Sequence, residues 1–348
     1  MKIILAPDSF KDGLPAREVA EAMAAGVRDG VKEAEVVEIP LADGGEGTVE
    51  VLTGALGGSI QTAMVSDPLG RQVEAKFGVC GDTAVIEVAE ACGLQRLALQ
   101  ERNPLIASTE GVGQLLLAAR EAGCRKLLVG LGGSATCDGG MGMLAVPGLI
   151  EAMQDCQIEI LCDVDNPLLG PEGAARVFAP QKGASPEAVE VLEARMAAFA
   201  DKTLIETGIA VTDLPGAGAA GGLGAAFMAW LGARRSSGIG RILELAHFHE
   251  KIAGADLILT GEGKSDRQTL SGKVPLGVLN AAGNVPVWLV SGAIEEEAAL
   301  MAAGFNRCIQ VTPADVPADI ALHPDFAREA LRKAVSVSFS ALRTHTSE

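Results

Sequence analysis

Short apolar runs without polar alternation set the strongest limit on how this chain folds. KIILAP (2–7), EVVEIP (35–40), KLLVGL (126–131), DLILTG (256–261), VPVWLVSG (285–292) and RCIQVTP (307–313) are dominated by Val, Ile and Leu. A strand with one wet face alternates apolar and polar residues. A strand covered on both faces does not, and parallel strands are covered on both faces. The segments between them carry helical spacing. In PAREVAEAMAAGVRDG, Pro15 suits a first helical turn, Val19, Met23 and Val27 share a face, and Gly30 can cap the end. GVGQLLLAAREAG leads likewise into KLLVGL, with Gly123 as the C′ residue. The pattern predicts an α/β protein with a doubly wound parallel sheet.

Two segments depart from it. In 59–100, the turn signals PLG and CGD separate extended runs, as in antiparallel hairpins. Residues 157–242 hold a strand (IEILCDV), a helix opened by Ser185-Pro186 and a glycine-rich stretch. We therefore expect one domain from 1–58, 105–148 and 243–348, interrupted by a second, mixed α/β domain from 59–104 and 149–242. With 348 residues, each can bury its own core.

Composition excludes several function classes. A net charge of −17 disfavours attraction to nucleic acid or anionic membrane, and 3% aromatics with no tyrosine leave little for stacking bases. No apolar run approaches the roughly 18–20 residues that cross a bilayer, and MKIILAPDSFK is too short in its apolar part for a signal peptide. Seven scattered cysteines without a CxxC pair suit a reducing cytoplasm and no zinc framework. His247 and His249 read as surface helix residues.

Chemistry collects at the strand ends. KIIL is followed by APDSFK, VVEIP by LADGGEGT, KLLVGL by GGSATCDGG, DLILT by GEGKSDRQTLSGK and VWLV by SGA. Ligands of open α/β sheets bind outside the carboxyl ends of the strands, so these loops are expected to share a crevice. Glycine-rich backbone can bring N–H groups to phosphate oxygens, and magnesium is usually held by one or two carboxylates plus the phosphates. Asp43 and Glu46 suit such a cation; they equally suit a tight turn whose acids cap the next helix. Gly132, Gly133, Ser134 and Thr136 could wrap a phosphate or serve close strand–helix packing, and Asp138 could organise magnesium or cap a helix. Glu262, Lys264, Asp266, Arg267 and Lys273 put five charges into twelve residues of one strand-end loop. The P-loop signature is missing. Gly216-x-Gly218-x-x-Gly221 fits the dinucleotide fingerprint but has no well-placed strand or acidic partner.

APDSFK, ADGGEGT, RNPL, GGSAT-DGG, CDV-NPLLG, APQKGA, PGAGAAGGLG, SGI and GEG-SD-Q-SGKVP occur in the order found in the bacterial glycerate kinase type-1 family, which the chain resembles over nearly its whole length. The resemblance implies a flavodoxin-like domain holding an inserted α/β domain. It also implies phosphorylation of D-glycerate by ATP with Mg2+, generally at the 2-hydroxyl to give 2-phosphoglycerate. The shared positions fall on Asp8, Ser9, Lys11, Asp43, Glu46, Ser134, Asp138, Asp163, Asn166, Gln181, Lys182, Glu262, Asp266, Gln268 and Lys273. On that basis Asp163 would orient the glycerate hydroxyl, Lys11 with Ser9 would hold its carboxylate, and Asp8, Asn166 and Asp266 would complete the substrate site. Asp43, Glu46 and Asp138 would serve magnesium. Gly132–Thr136, Glu262 and Lys273 would serve the nucleotide. For Asp163 a structural role in its own NPLLG loop stays open.

The chain departs from the family in having Lys264 where arginine is usual and Cys137 where asparagine is frequent. Lysine keeps the charge and loses the bidentate fork. Between GGMGMLAVPG and CQIEIL only LIEAMQD stands where the family carries a longer segment. Open alternatives are a nicotinamide-dependent dehydrogenase of a small hydroxy acid, a 3-phosphoglycerate-forming kinase and a non-enzymatic metabolite sensor. The expected partners are D-glycerate and ATP, with no nucleic acid, no membrane, and a homodimer left open.

Overall fold

A computed structural model describes residues 1–11 and 13–345. In chain order its strands are β1 (Lys2–Leu5), β2 (Glu35–Glu38), β3 (Ser59–Ser66), β4 (Gln72–Cys80), β5 (Thr83–Glu87) and β6 (Lys126–Gly130). They continue with β7 (Gln157–Leu161), β8 (Arg234–Ser236), β9 (Leu257–Ser265), β10 (Val287–Ile294) and β11 (Arg307–Gln310). The chain forms two units, one from Met1–Ala42 with Ile239–Glu348 and one from Asp43–Gly238; 346–348 lie outside the described residues.

The first unit holds a five-stranded, all-parallel sheet in the order β2-β1-β9-β10-β11. Counted within the unit, that order is 2-1-3-4-5, the flavodoxin-like doubly wound order, and the direction of winding reverses between β1 and β9. Ile3, Leu5, Leu257, Leu259 and Val290 fill the sheet side of a core closed by Val19, Met23 and Val27 on one helix and Leu331, Val335 and Phe339 on another. Those helices are Ala16–Gly30 and Pro324–His345. Gly30 is the last helical residue and not a cap: a Cβ there would lie 2.7 Å from that of Phe339, and one on Gly26 would lie 2.4 Å from the Arg332 carbonyl oxygen. The glycines let the two helices touch.

The second unit holds six strands in the order β3-β4-β5-β6-β7-β8. β3, β4 and β5 are antiparallel, as PLG and CGD foretold, and β5 to β8 run parallel. Gly123 has φ +94° just past the helix Glu110–Glu121, the conformation its C′ position requires. β6 is the element that overturns the expected assignment of 105–148. It pairs with β5 and β7, not with β1, and Leu127 and Val129 pack with Phe77, Ile86, Leu115 and Ile160. Its apolar pattern is that of any doubly covered strand, so the run specifies burial without specifying a sheet. The short 141–156 region forms helices Met141–Leu144 and Leu149–Met153 and passes directly into β7.

Candidate active site

In the second unit, the loops after β6, β7 and β8 lie side by side because their strands are parallel neighbours. The loop 43–47 is laid on top of them. A Cβ on Gly130 would stand 2.4 Å from the Gly44 carbonyl oxygen and one on Gly132 2.5 Å from the Gly45 Cα. Gly132 N–H donates to Gly44 O (3.1 Å), and Gly44, at φ +92°, faces the Leu161 carbonyl. Glycine clusters here because two backbones meet without side chains between them. Asp43 Oδ1 accepts Gly45 N–H (2.9 Å), and the carbonyl of Gly45 accepts the Thr48 hydroxyl (2.7 Å) where the helix Thr48–Ala55 begins. Glu46 is exposed on the same loop.

Asp163, two residues past β7, is exposed; its Oδ1 accepts the Ser237 hydroxyl (2.7 Å) and Gly238 N–H (3.0 Å). A Cβ on Gly238 would lie 2.2 Å from the Asp43 carbonyl oxygen and 2.8 Å from Asp163 Oδ2. Asp43, Asp163, Ser237 and Gly238 are thus neighbours, and Ser237 had no assigned role in the sequence reading. Arg235 steadies the adjacent turn by donating to Val164 O (3.1 Å) and to the Asp165 carboxylate. The Asn166 side-chain amide donates to Glu172 O (2.8 Å), tying its own loop.

The turn after β6 differs from the expectation. Gly133 is exposed and Gly132 half-buried, but Ser134 and Thr136 are buried. The Ser134 hydroxyl accepts from Lys182 Nζ (2.8 Å) and the Thr136 hydroxyl faces Cys92 Sγ (4.0 Å), so these side chains serve the interior. Asp138, expected at magnesium, is taken up by the protein itself. Oδ2 accepts Thr109 N–H (2.9 Å), the Thr109 hydroxyl (2.8 Å) and Gly142 N–H (3.1 Å), while Oδ1 accepts Gly140 N–H (3.0 Å). Among the described residues no group of three or more His, Cys, Asp or Glu is arranged to hold a metal. With Asp138 engaged, the carboxylates left exposed or half-buried at this strand end include Asp43, Glu46 and Asp163.

Glycines of the PGAGAAGG stretch also prove to be packing glycines. A Cβ on Gly221 would stand 2.1 Å from the Thr136 carbonyl oxygen and one on Gly218 2.2 Å from that of Pro167. No strand runs into the stretch: β7 ends at Leu161 and β8 starts at Arg234. The dinucleotide fingerprint lacks the strand–turn–helix setting that gives it meaning.

In the first unit the crevice rule points to the carboxyl ends of β1 and β9. Asp8 N–H donates to Gly261 O (2.8 Å), Asp8 Oδ1 accepts Ser9 N–H (2.7 Å), and a Cβ on Gly263 would lie 3.2 Å from Lys11 N. Lys11 is exposed and has no ion pair among the described residues. Glu262 is buried; it accepts Lys273 Nζ (2.9 Å) and the hydroxyls of Ser265 (3.1 Å) and Thr269 (2.5 Å). Asp266 caps a short helical turn by accepting Gln268 N–H (2.8 Å). Lys264 and Arg267 pair with Glu295 and Glu296 at the surface. Lys273 precedes the helix Val274–Ala281.

Glu87, at the end of β5, was not anticipated. It is buried, accepts Val49 N–H (2.6 Å), and burial pushes its carboxyl up to about 8. Only its position at a strand terminus, in VIEVA, could have drawn attention to it.

The glycerate kinase family model matches residues 3–150 and 145–341, the two parts meeting where the shortened segment stands. The glycerate kinase of Bacillus subtilis is 42% identical over 350 residues, covering 91% of this chain and 92% of its own. The glycerate 2-kinase of Escherichia coli is 41% identical over 329 residues, covering 85% and 86%. A crystal structure provisionally named glycerate kinase 2, from Salmonella typhimurium, superposes with a TM-score of 0.85 at 38% identity over the whole of both chains.

Proposed function

This chain belongs to the glycerate kinase family, and from that premise we propose that it transfers the γ-phosphoryl group of ATP to the 2-hydroxyl of D-glycerate, giving 2-phosphoglycerate and ADP. The carrying observation is the exposed Asp163 carboxylate held by Ser237 and Gly238 beside the Asp43–Glu46 loop and the open Gly132–Gly133 turn. The printed name of the Escherichia coli relative supports the 2-hydroxyl.

Phosphoryl transfer needs an oriented acceptor and neutralised phosphate charge more than it needs covalent chemistry. Asp163 would accept a hydrogen bond from the attacking hydroxyl and set its direction, with Oδ1 already fixed by two donors. Gly132 and Gly133 give phosphate oxygens close access to backbone. Magnesium, when bound by Asp43 and Glu46, would neutralise the polyphosphate. On the first unit, Lys11 and Ser9 after β1 and Lys273 after β9 are cations and donors suited to anionic ligand oxygens. Among the described residues no helix is long and apolar enough to cross a membrane.

The test is a coupled ADP-release assay over a panel of short hydroxy acids, with the phosphorylated product identified by NMR. Asp163→Asn should lower kcat by about 10²- to 10⁴-fold with the fold intact. Near-normal turnover in the folded variant would remove Asp163 from the chemistry.

A further inference from the structure

Lys182 is a lysine in the wrong place for a solvated charge. It closes the turn Pro180–Lys182, and the next residue, Gly183, has φ +97° with its Cβ position only 2.5 Å from the Arg102 carbonyl oxygen. The chain can make that turn only with glycine, and the turn delivers Lys182 inward, where it is 3% exposed. Its Nζ donates to Ser134 Oγ (2.8 Å) and Thr136 O (2.7 Å). Both acceptors are neutral, and both belong to the turn after β6. The nearby Asp138 carboxylate is occupied by Thr109, Gly140 and Gly142.

Several other cations of the unit pair directly with carboxylates: Arg71 with Asp67 and Glu101, Lys76 with Glu50, Arg96 with Glu90, Arg176 with Glu190. In a chain of net charge −17, a buried ammonium without a carboxylate is an expensive choice. Burial does push its pKa down. A methionine would fill the same space without that cost, so filling space does not explain the residue.

The turn itself supplies the reason. Gly132 and Ala135 N–H groups are taken by the carbonyls of Gly44 and Cys92. Those of Gly133 and Ser134 donate to nothing among the described residues, and Gly133 is exposed. Two amides without an acceptor among the described residues and a buried cation bonded to the same turn are parts from which an anion site can be built. We propose that Lys182 is a positioning residue for nucleotide phosphate: its charge, applied through Ser134 and Thr136, holds the Gly133–Ser134 turn in shape and favours an anion on the exposed face. The proposal rests on the reading that this turn meets ATP.

Two pairs of variants separate the proposal from that reading. Lys182→Gln can keep hydrogen bonds to Ser134 and Thr136 while losing the charge; Lys182→Met loses both. With folding checked by thermal melting, KM for ATP and Kd for ADP should rise at least tenfold in each, while KM for glycerate moves less than twofold. Gly133→Asp and Gly133→Asn both tolerate a positive φ, so their difference isolates a negative charge at the turn. Asp should weaken ATP at least tenfold relative to Asn. If Gly133→Asp weakens ATP and a folded Lys182 variant leaves it within twofold, the proposal falls and the site reading stands. If neither position affects ATP, both fall. Should neither Lys182 variant fold, Ser134→Ala cuts one of the two links, and an unchanged Kd for ADP then overturns the proposal.

Discussion

Asp138→Asn is the change that best tests whether the acids of the β6 turn are metal ligands or structural. Asp138 accepts four hydrogen bonds, three at Oδ2 and one at Oδ1. Asparagine can keep its oxygen at the threefold site, which sets its NH2 against Gly140 N–H. Leaving that amide without an acceptor costs about 1–3 kcal/mol. The other three bonds change from charge-assisted to neutral, each losing about 1 kcal/mol. The total is about 4–6 kcal/mol, which for a unit of this size lowers Tm by about 8–24 °C. The assay is thermal and urea denaturation followed by circular dichroism, run beside a magnesium titration of turnover. An unchanged midpoint with a raised magnesium requirement would refute the reasoning and return Asp138 to the metal.

Two further outcomes follow from burial. Glu87 has a folded pKa near 8 against an ordinary 4.5, so the native state keeps a proton that the unfolded chain has lost. Stability should therefore fall as pH rises from about 4.5 to 8, by up to about 1.4 kcal/mol per unit, and level off above. Glu87→Gln keeps an acceptor for Val49 N–H, and its urea midpoint should lose that slope and exceed wild type at pH 8; an identical slope would exclude Glu87 as its source. Thr136→Val should leave KM for ATP within about twofold, since the hydroxyl is buried. A tenfold rise would put that hydroxyl back on the ligand.

The α/β class, the hairpins at PLG and CGD, and the placement of glycine and acids at strand ends could be read from the chain because each follows from local periodicity and turn chemistry. DGGEG after VVEIP was legible as a strand-end loop. Which strand it would cover was not, since Gly44 and Gly45 are required by Gly130, Gly132 and Leu161, far along the chain. The sheet to which β6 belongs was equally beyond reach, because burial on both faces looks the same in either sheet.

Residue identity determined which side chains carry groups suited to phosphoryl chemistry; the tertiary structure decided how those groups are partnered. Ser134, Thr136 and Asp138 carry suitable groups in a suitable motif, yet their neighbours satisfy those groups internally. Asp163 stays exposed, with Oδ1 accepting from Ser237 and Gly238. Hydrogen-bond capacity is finite, and only packing reveals how much of it has been used.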